Sequence, residues 1–237
     1  MTRALSHRGP DADGFYSDAA AGVHFGHRRL SILDHEGGAQ PMHSWCGNFV
    51  IVFNGEIYNF RELREELAGL GATFRTDHSD TEVLLEGWRY WGTSLPGRLN
   101  GMWAFVIHDR SKGLLFASRD RFGKKPFFWC HTSDAFIFSS ELTSIRLHTG
   151  TPGSLDDMAI QKYFAYGYVP APRTFLRGVY KLPAGHSLEL DLASNKLNVK
   201  RYWKYTPLLD TSLSEHDAEE QLYQLLGRAV SRRMVAD

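Results

Sequence analysis

Four short polar clusters carry most of the chemistry this sequence could do. The first, His7-Arg8-Gly9-Pro10-Asp11-Ala12-Asp13-Gly14, reads by composition as a turn with solvated charges. The second, His27-Arg28-Arg29-Leu30-Ser31-Ile32, sends two adjacent arginines out of an expected strand. Such a pair is usually surface charge, yet an arginine presented from rigid backbone can grip a carboxylate with paired hydrogen bonds. The third is Asn54-Gly55-Glu56, at the end of an apolar run. It is a hairpin turn, or an oxyanion site in which the Asn amide and the Gly N–H donate and glycine permits close approach. The fourth, Ser79-Asp80, is an N-cap, or a carboxylate aimed at an amino group. From residue types alone both alternatives stay open at each cluster.

Other chemistries find little support. The 11 histidines include no His-Glu-x-x-His pattern and no Cys–His set at zinc spacing, so no metal site is expected. His24 and His27 read as ordinary strand residues. There is no Gly-x-Gly-x-x-Gly and no Walker-type phosphate loop. Cys130, in Phe128-Trp129-Cys130, packs as a small hydrophobe on an expected strand, and Cys46 sits in an expected loop without an obvious base. Two cysteines in 237 residues exclude a disulfide scaffold. Lys+Arg and Asp+Glu both number 27, which argues against nucleic acid as a partner. Apolar stretches such as Gly47 to Phe53 are too short to span a bilayer, and the N-terminus has no signal-peptide core. No membrane partner is expected, and the default compartment is cytoplasmic.

The elements that would position these clusters follow from periodicity. Phe49-Val50-Ile51-Val52-Phe53 predicts a strand covered on both faces and ending at Asn54-Gly55. Leu63, Leu67 and Leu70 predict a helix over 58–70. Val83, Leu84, Trp88 and Trp91 predict another over 81–91, with Ser79 or Asp80 as N-cap. Residues 103–107 and 114–117 flank Asp109-Arg110-Ser111-Lys112-Gly113, a hairpin signal, and 126–130 and 136–138 read as further strands. A helix should start near Ser154-Leu155-Asp156-Asp157, two or three strands should surround Pro183-Ala184-Gly185, and a long amphipathic helix should run over 214–235.

Taken in order, these stretches closely resemble the glutamine-hydrolysing asparagine synthetases, which are class II glutamine amidotransferases. The match runs through His7 to Gly14, Gly26 to Asp34, Gln40-Pro41-Met42, Phe53 to Phe60 and Ser79 to Val83. It continues through Gly101 to Phe105, Arg119 to Pro126, Ser140-Glu141, Lys181 to His186 and Arg233 to Asp237. The resemblance implies an α+β fold, an α-β-β-α sandwich of two antiparallel sheets like the N-terminal-nucleophile hydrolases. It implies a glutaminase domain over 1–190, with 205–237 as the first helix of an α/β synthetase domain. Arg29 would hold the glutamine α-carboxylate, Asp80 with Glu56 its α-ammonium, and Asn54 with the Gly55 N–H would form the oxyanion hole. The synthetase half would use ATP and Mg to activate aspartate. Glutamine and aspartate are the implied small-molecule partners, and a homodimer is a candidate assembly.

The sequence departs from the family in two places. Position 2 is Thr2, where the family's nucleophile is an N-terminal Cys whose own amine is the base. The pyrophosphate loop that should follow Arg233-Met234-Val235-Ala236-Asp237 is absent. A fragment, inactive by itself, is therefore expected. The alternative is a non-catalytic amidotransferase-like module that binds an amino acid or a protein.

Overall fold

The computed structural model describes residues 1–30, 38–209 and 212–234. Ser31 and Ile32 of the second cluster, Asp34, and the last three residues of the C-terminal match lie outside the described residues.

The apolar run becomes the first part of β4 (Phe49–Ile57), which follows β1 (Ala12–Asp18), β2 (Val23–Arg29) and the short β3 (Met42–His43). Alternate residues of β4 feed two cores. Phe49, Ile51, Phe53 and Ile57 pack against α1 (Phe60–Gly69) and α2 (Asp80–Trp91), through Leu63, Leu67, Leu84 and Trp88. Val50 and Val52 face the opposite core, with Val23, Phe25, Val106 and Leu188. The strand is covered on both faces, as its composition demands.

After the short α3 (Leu95–Arg98) come β5 (Gly101–Asp109) and β6 (Leu114–Arg119), joined by the expected hairpin, with Gly113 at φ +59°. Next are β7 (Phe128–His131), β8 (Phe136–Ser139), α4 (Leu142–Ile145) and α5 (Asp157–Tyr166). Then β9 (Val179–Lys181), β10 (His186–Asp191), β11 (Lys196–Arg201) and α6 (Glu215–Ser231) complete the chain. Six strands form one antiparallel sheet in the order β11-β10-β6-β5-β4-β3. The facing layer is in two pieces, the β1-β2 hairpin and the three-stranded β8-β7-β9. A third cluster, with Cys130, Ile137, Ile145 and Val179, packs beneath α4 and Met1. The fold is thus α+β, built of antiparallel sheets with helices outside them. The sheet continues past residue 190, because β11 pairs with β10.

One local expectation is corrected. Asn54-Gly55 is not a turn and β4 does not end there. The strand runs on to Ile57, with Asn54 opposite Ala104, Gly55 opposite Trp103 and Glu56 opposite Met102. Gly55 is absent from the glycines with positive φ. Glycine is required for space instead: a Cβ there would collide with the Met102 carbonyl oxygen and the Phe53 ring.

Candidate functional site

β3 pairs with β4 only at Val50 and Ile51, so beyond Ile51 one backbone edge of β4 has no strand beside it among the described residues. Along a strand, the N–H and C=O of alternate residues point to the same side. Three observations fix which residues face this open edge. Gln40 Oε1 accepts from the Phe53 N–H at 2.6 Å, His27 Nε2 donates to the Phe53 carbonyl at 3.2 Å, and Asp80 Oδ2 accepts from the Ile57 N–H at 3.0 Å. Gly55 lies midway between Phe53 and Ile57, and its N–H therefore points to the same edge. The Asn54 side chain leaves the other face of the helix-packed series, toward the second core.

Arg29 reaches this place through the alternation of β2. Val23 and Phe25 are buried, and His27 and Arg29 continue the same face. Arg28, on the other face, is consumed structurally: Nη1 pairs with Asp13 Oδ2 at 3.1 Å and Nε donates to the Gly9 carbonyl at 2.9 Å. The first cluster supports this strand end. The Asp11 N–H donates to the Arg29 carbonyl at 3.0 Å, and a Cβ on Gly9 would strike the Arg28–Arg29 peptide. His7 and Arg8 pair with Glu141. These charges are partnered scaffolding for β2.

Ser79 occupies the N-cap position of α2 but makes no side-chain capping bond, and Asp80 is the first helical residue. Asp80 is 9% exposed. Its carboxylate holds the end of β4 and accepts from the Thr81 hydroxyl at 3.3 Å. Burial pushes its pKa up to about 6, with the Ile57 N–H and Thr81 pulling the other way and the Glu56 charge adding to the rise.

Arg29, Asn54, Gly55 and Asp80 line one cavity of about 950 Å³, together with His27 and Lys125. Glu56 shares the face of Asn54 by strand parity but is not in the cavity wall. Burial raises its pKa, and Lys125 and Arg233 oppose that rise. The cavity thus offers a cation at one wall, a carboxylate at another and backbone plus amide donors between them. Such a set can hold a zwitterionic amino acid and polarise an oxygen of its side chain. Neither cysteine lines it: Cys46 is exposed, and Cys130 is buried in the third cluster, where burial raises its thiol pKa. Two wall residues escaped sequence reasoning. His27 was legible from the Val23-Phe25-His27 alternation, whereas nothing local distinguished Gln40 as a partner for Phe53.

Residues 1–203 match the glutamine amidotransferase domain family. The chain is 37% identical over 240 residues to asparagine synthetase [glutamine-hydrolyzing] 3 of Bacillus subtilis, covering all of this chain and 38% of that protein. It is 35% identical over 260 residues to a putative asparagine synthetase [glutamine-hydrolyzing] 2 of Methanocaldococcus jannaschii, again over all of this chain and 49% of that one. It therefore spans less than half the length of either. Among solved structures, the glutamine phosphoribosylpyrophosphate amidotransferase from B. subtilis superposes with TM-score 0.51 at 22% identity, over 76% of this chain and 35% of that one. That likeness shows the fold, the N-terminal-nucleophile hydrolase arrangement.

Proposed function

The chain belongs to the glutamine amidotransferase domain family, and from that premise we propose that its cavity binds glutamine and stabilises the oxyanion formed when the side-chain amide is attacked. Arg29 takes the α-carboxylate and Asp80, with Glu56 nearby, takes the α-ammonium. Asn54 and the Gly55 N–H receive the amide oxygen as it becomes charged. The observation that carries this is the open edge of β4, where Gly55 N–H faces the cavity between two backbone N–H groups already held by Gln40 and Asp80.

The reaction needs a nucleophile at that edge. In the proposed mechanism a cysteine thiolate attacks the amide carbon, the tetrahedral oxyanion collapses, ammonia leaves, and water hydrolyses the thioester to glutamate. Neither Cys46 nor Cys130 can serve, since neither lines the cavity. Thr2 does line it, but within a helical turn whose first residue is tied down: the Met1 carbonyl accepts from the Ala4 N–H at 3.0 Å and from Ser144 Oγ at 3.2 Å. The two edge strands β2 and β8 flank the cavity, over a floor of Val52, Ala104 and Val106. In this proposal the nucleophile is presented between those two strands, and neither cysteine of residues 1–237 supplies it.

The relatives are named as glutamine-hydrolysing asparagine synthetases, and we propose by that resemblance that the ammonia serves asparagine synthesis, with ATP-dependent amidation of aspartate giving AMP and pyrophosphate. Residues 205–237 would begin that part. The residues present do not fit ATP or Mg: no phosphate loop occurs in the sequence, and no group of three or more His, Cys, Asp or Glu could hold a metal among the described residues. No helix of the described residues is long and apolar enough to cross a membrane.

Calorimetry with the 237-residue protein tests the pocket. Glutamine should bind, and Arg29→Ala should weaken binding by about 10- to 100-fold, the worth of a charge-assisted contact. Glutamate release should be undetectable. Turnover abolished by Cys46→Ala or Cys130→Ala would overturn the nucleophile assignment, and wild-type binding by Arg29→Ala would overturn the pocket.

A further inference from the structure

His27 has one engaged nitrogen and one that is sealed away. The β1-β2 hairpin is a sheet of its own, hydrogen-bonded to no strand of the six-stranded sheet. The His27 ring crosses from it to the open edge of β4, where Nε2 lies 3.2 Å from the Phe53 carbonyl oxygen. A carbonyl only accepts, so Nε2 carries the proton. Gln40 accepts from the N–H of the same residue at 2.6 Å. Both outward groups of Phe53 are thereby held, one residue before Asn54 and two before Gly55. In the tautomer this requires, His27 Nδ1 is a bare lone pair. It is shut off from solvent and meets no hydrogen-bond partner among the described residues.

We propose that His27 is a positioning residue of the oxyanion site: its Nε2–H, acting with Gln40, fixes the Phe53 peptide edge and through it the direction of the Gly55 N–H. The inference rests on the glutamine-pocket reading and adds to it a residue that need not touch the substrate. A two-stranded ribbon is marginal by itself, and while Val23 and Phe25 pack on the sheet and Tyr16 and Asp18 tie the far end of the hairpin to His108 and Arg110, the His27 ring holds its near end to the open edge of β4. The clamp has a built-in acid limit. A second proton would create a buried N–H at Nδ1 with no acceptor, a cost of its own. The charged groups of the surrounding wall oppose that proton as well. Arg28 and Arg29 lie on its own strand, Arg8 on the N-terminal helical turn and Lys125 on the loop after β6, against the carboxylates of Asp80 and Asp134, with the imidazoles of His24 and His148 also in the wall. Burial and Arg29 accordingly hold the imidazole below its ordinary range, while the Phe53 bond pulls the other way. When the ring does protonate, Nε2–H still donates to the Phe53 carbonyl, but the new Nδ1–H is buried without an acceptor among the described residues and strains the seat of the ring and the peptide edge it holds.

The test is NMR on the glutamine-free 237-residue protein. At pH 7 the His27 ring nitrogens should report the neutral Nε2–H tautomer, and on acidification the Gly55 amide should shift with the ring's own titration. His27→Leu should move the Gly55 amide and speed hydrogen exchange of the Phe53 amide, held by Gln40 on the same edge, by about tenfold or more, as a local opening does. His27→Gln, whose side-chain amide can donate to the same carbonyl, should restore it. The amides of Val106 and Ala117, in the β5–β6 ladder, should hold their rates in both variants, which separates a local effect from global loosening. An Nδ1–H tautomer, an unmoved Gly55 amide in His27→Leu, or Gln doing no better than Leu would overturn the proposal. If the leucine variant does not fold, the wild-type titration decides: a Gly55 amide indifferent to the ring defeats the clamp. Added glutamine that perturbs neither Gly55 nor Arg29 in any of these proteins would defeat the pocket reading, leaving the clamp to stand or fall on the glutamine-free data.

Discussion

Asp120 and Asp80 are both buried carboxylates beside the six-stranded sheet, and the chain supplies them with donors very differently. Asp120, 1% exposed, accepts from the N–H groups of Phe122 and Lys124 on one oxygen and of Lys125 and Trp103 on the other, at 2.9 to 3.3 Å. Beside it, Arg119 donates to the carbonyls of Gly123, Lys125 and Leu182. Both carboxylate oxygens of Asp120 and the Arg119 guanidinium are spent on the shape of that loop. Asp80 has the Ile57 N–H, with the hydroxyl and backbone N–H of its neighbour Thr81, and burial still raises its pKa to about 6. A carboxylate saturated by its own loop is architecture. One left short of donors, in the wall of a cavity, retains capacity for a ligand cation.

The largest effect that comparison predicts is at Asp120. Asp120→Asn turns one acceptor oxygen into an NH₂ facing two backbone N–H groups, and should cost on the order of 3 kcal/mol in urea unfolding. Asp80→Asn should act with the opposite sign. The carboxyl pKa rises on folding from 3.8 to about 6, so the folded state holds the proton more tightly. The associated stability is complete below about pH 4 and is lost as pH rises through about 6. Removing the charge should therefore stabilise the protein at pH 8, by up to about 3 kcal/mol, and leave it unchanged at pH 4. The same variant should bind glutamine poorly, because a neutral amide replaces the partner of the α-ammonium. Matching losses of stability in the two variants would erase the distinction between them.

Much of this was legible. The apolar run at Phe49 to Phe53 announced a central strand, and the Leu and Trp spacings placed α1 and α2 to within about two residues. Each of the four polar clusters places a residue in the wall of one cavity. What sequence could not supply was pairing across the sheet. Asn-Gly is a strong turn signal, and it was overruled because β5 continues opposite it as far as Gly101. The glycine answers to the Met102 carbonyl, a partner 47 residues away, and no local pattern encodes that. Likewise the first cluster looked like solvated charge, until β2 was seen to rest on Gly9 and Asp11. His27 was visible as the third residue of an inward-facing alternation, but only the unpaired edge of β4 gives its ring a task.

The smallest predicted effect sharpens the contrast at the start of α2. Two other helices are capped by their own side chains. Asp156 accepts from the Ala159 N–H at 3.2 Å to start α5, and Ser214 accepts from the Asp217 N–H at 3.2 Å to start α6. The first turn of α2 instead directs its carboxylates outward. Glu82 accepts from the N–H groups of Arg75 and Thr76 and from the Thr76 hydroxyl, while Asp80 holds Ile57. The helix start therefore fastens the preceding loop and the end of β4, and its N-cap serine contributes no side-chain bond. Ser79→Ala should then cost less than about 0.3 kcal/mol, although an N-cap serine is ordinarily worth about 1. Asp156→Ala should cost the ordinary amount or more, since Arg173 also pairs with it at 2.6 Å. Urea midpoints of the two variants at pH 7 decide the matter. A Ser79 loss as large as that of Asp156 would mean that the hydroxyl caps α2 in solution. The placement of Asp80 would then owe as much to ordinary capping as to its bond with the edge of β4.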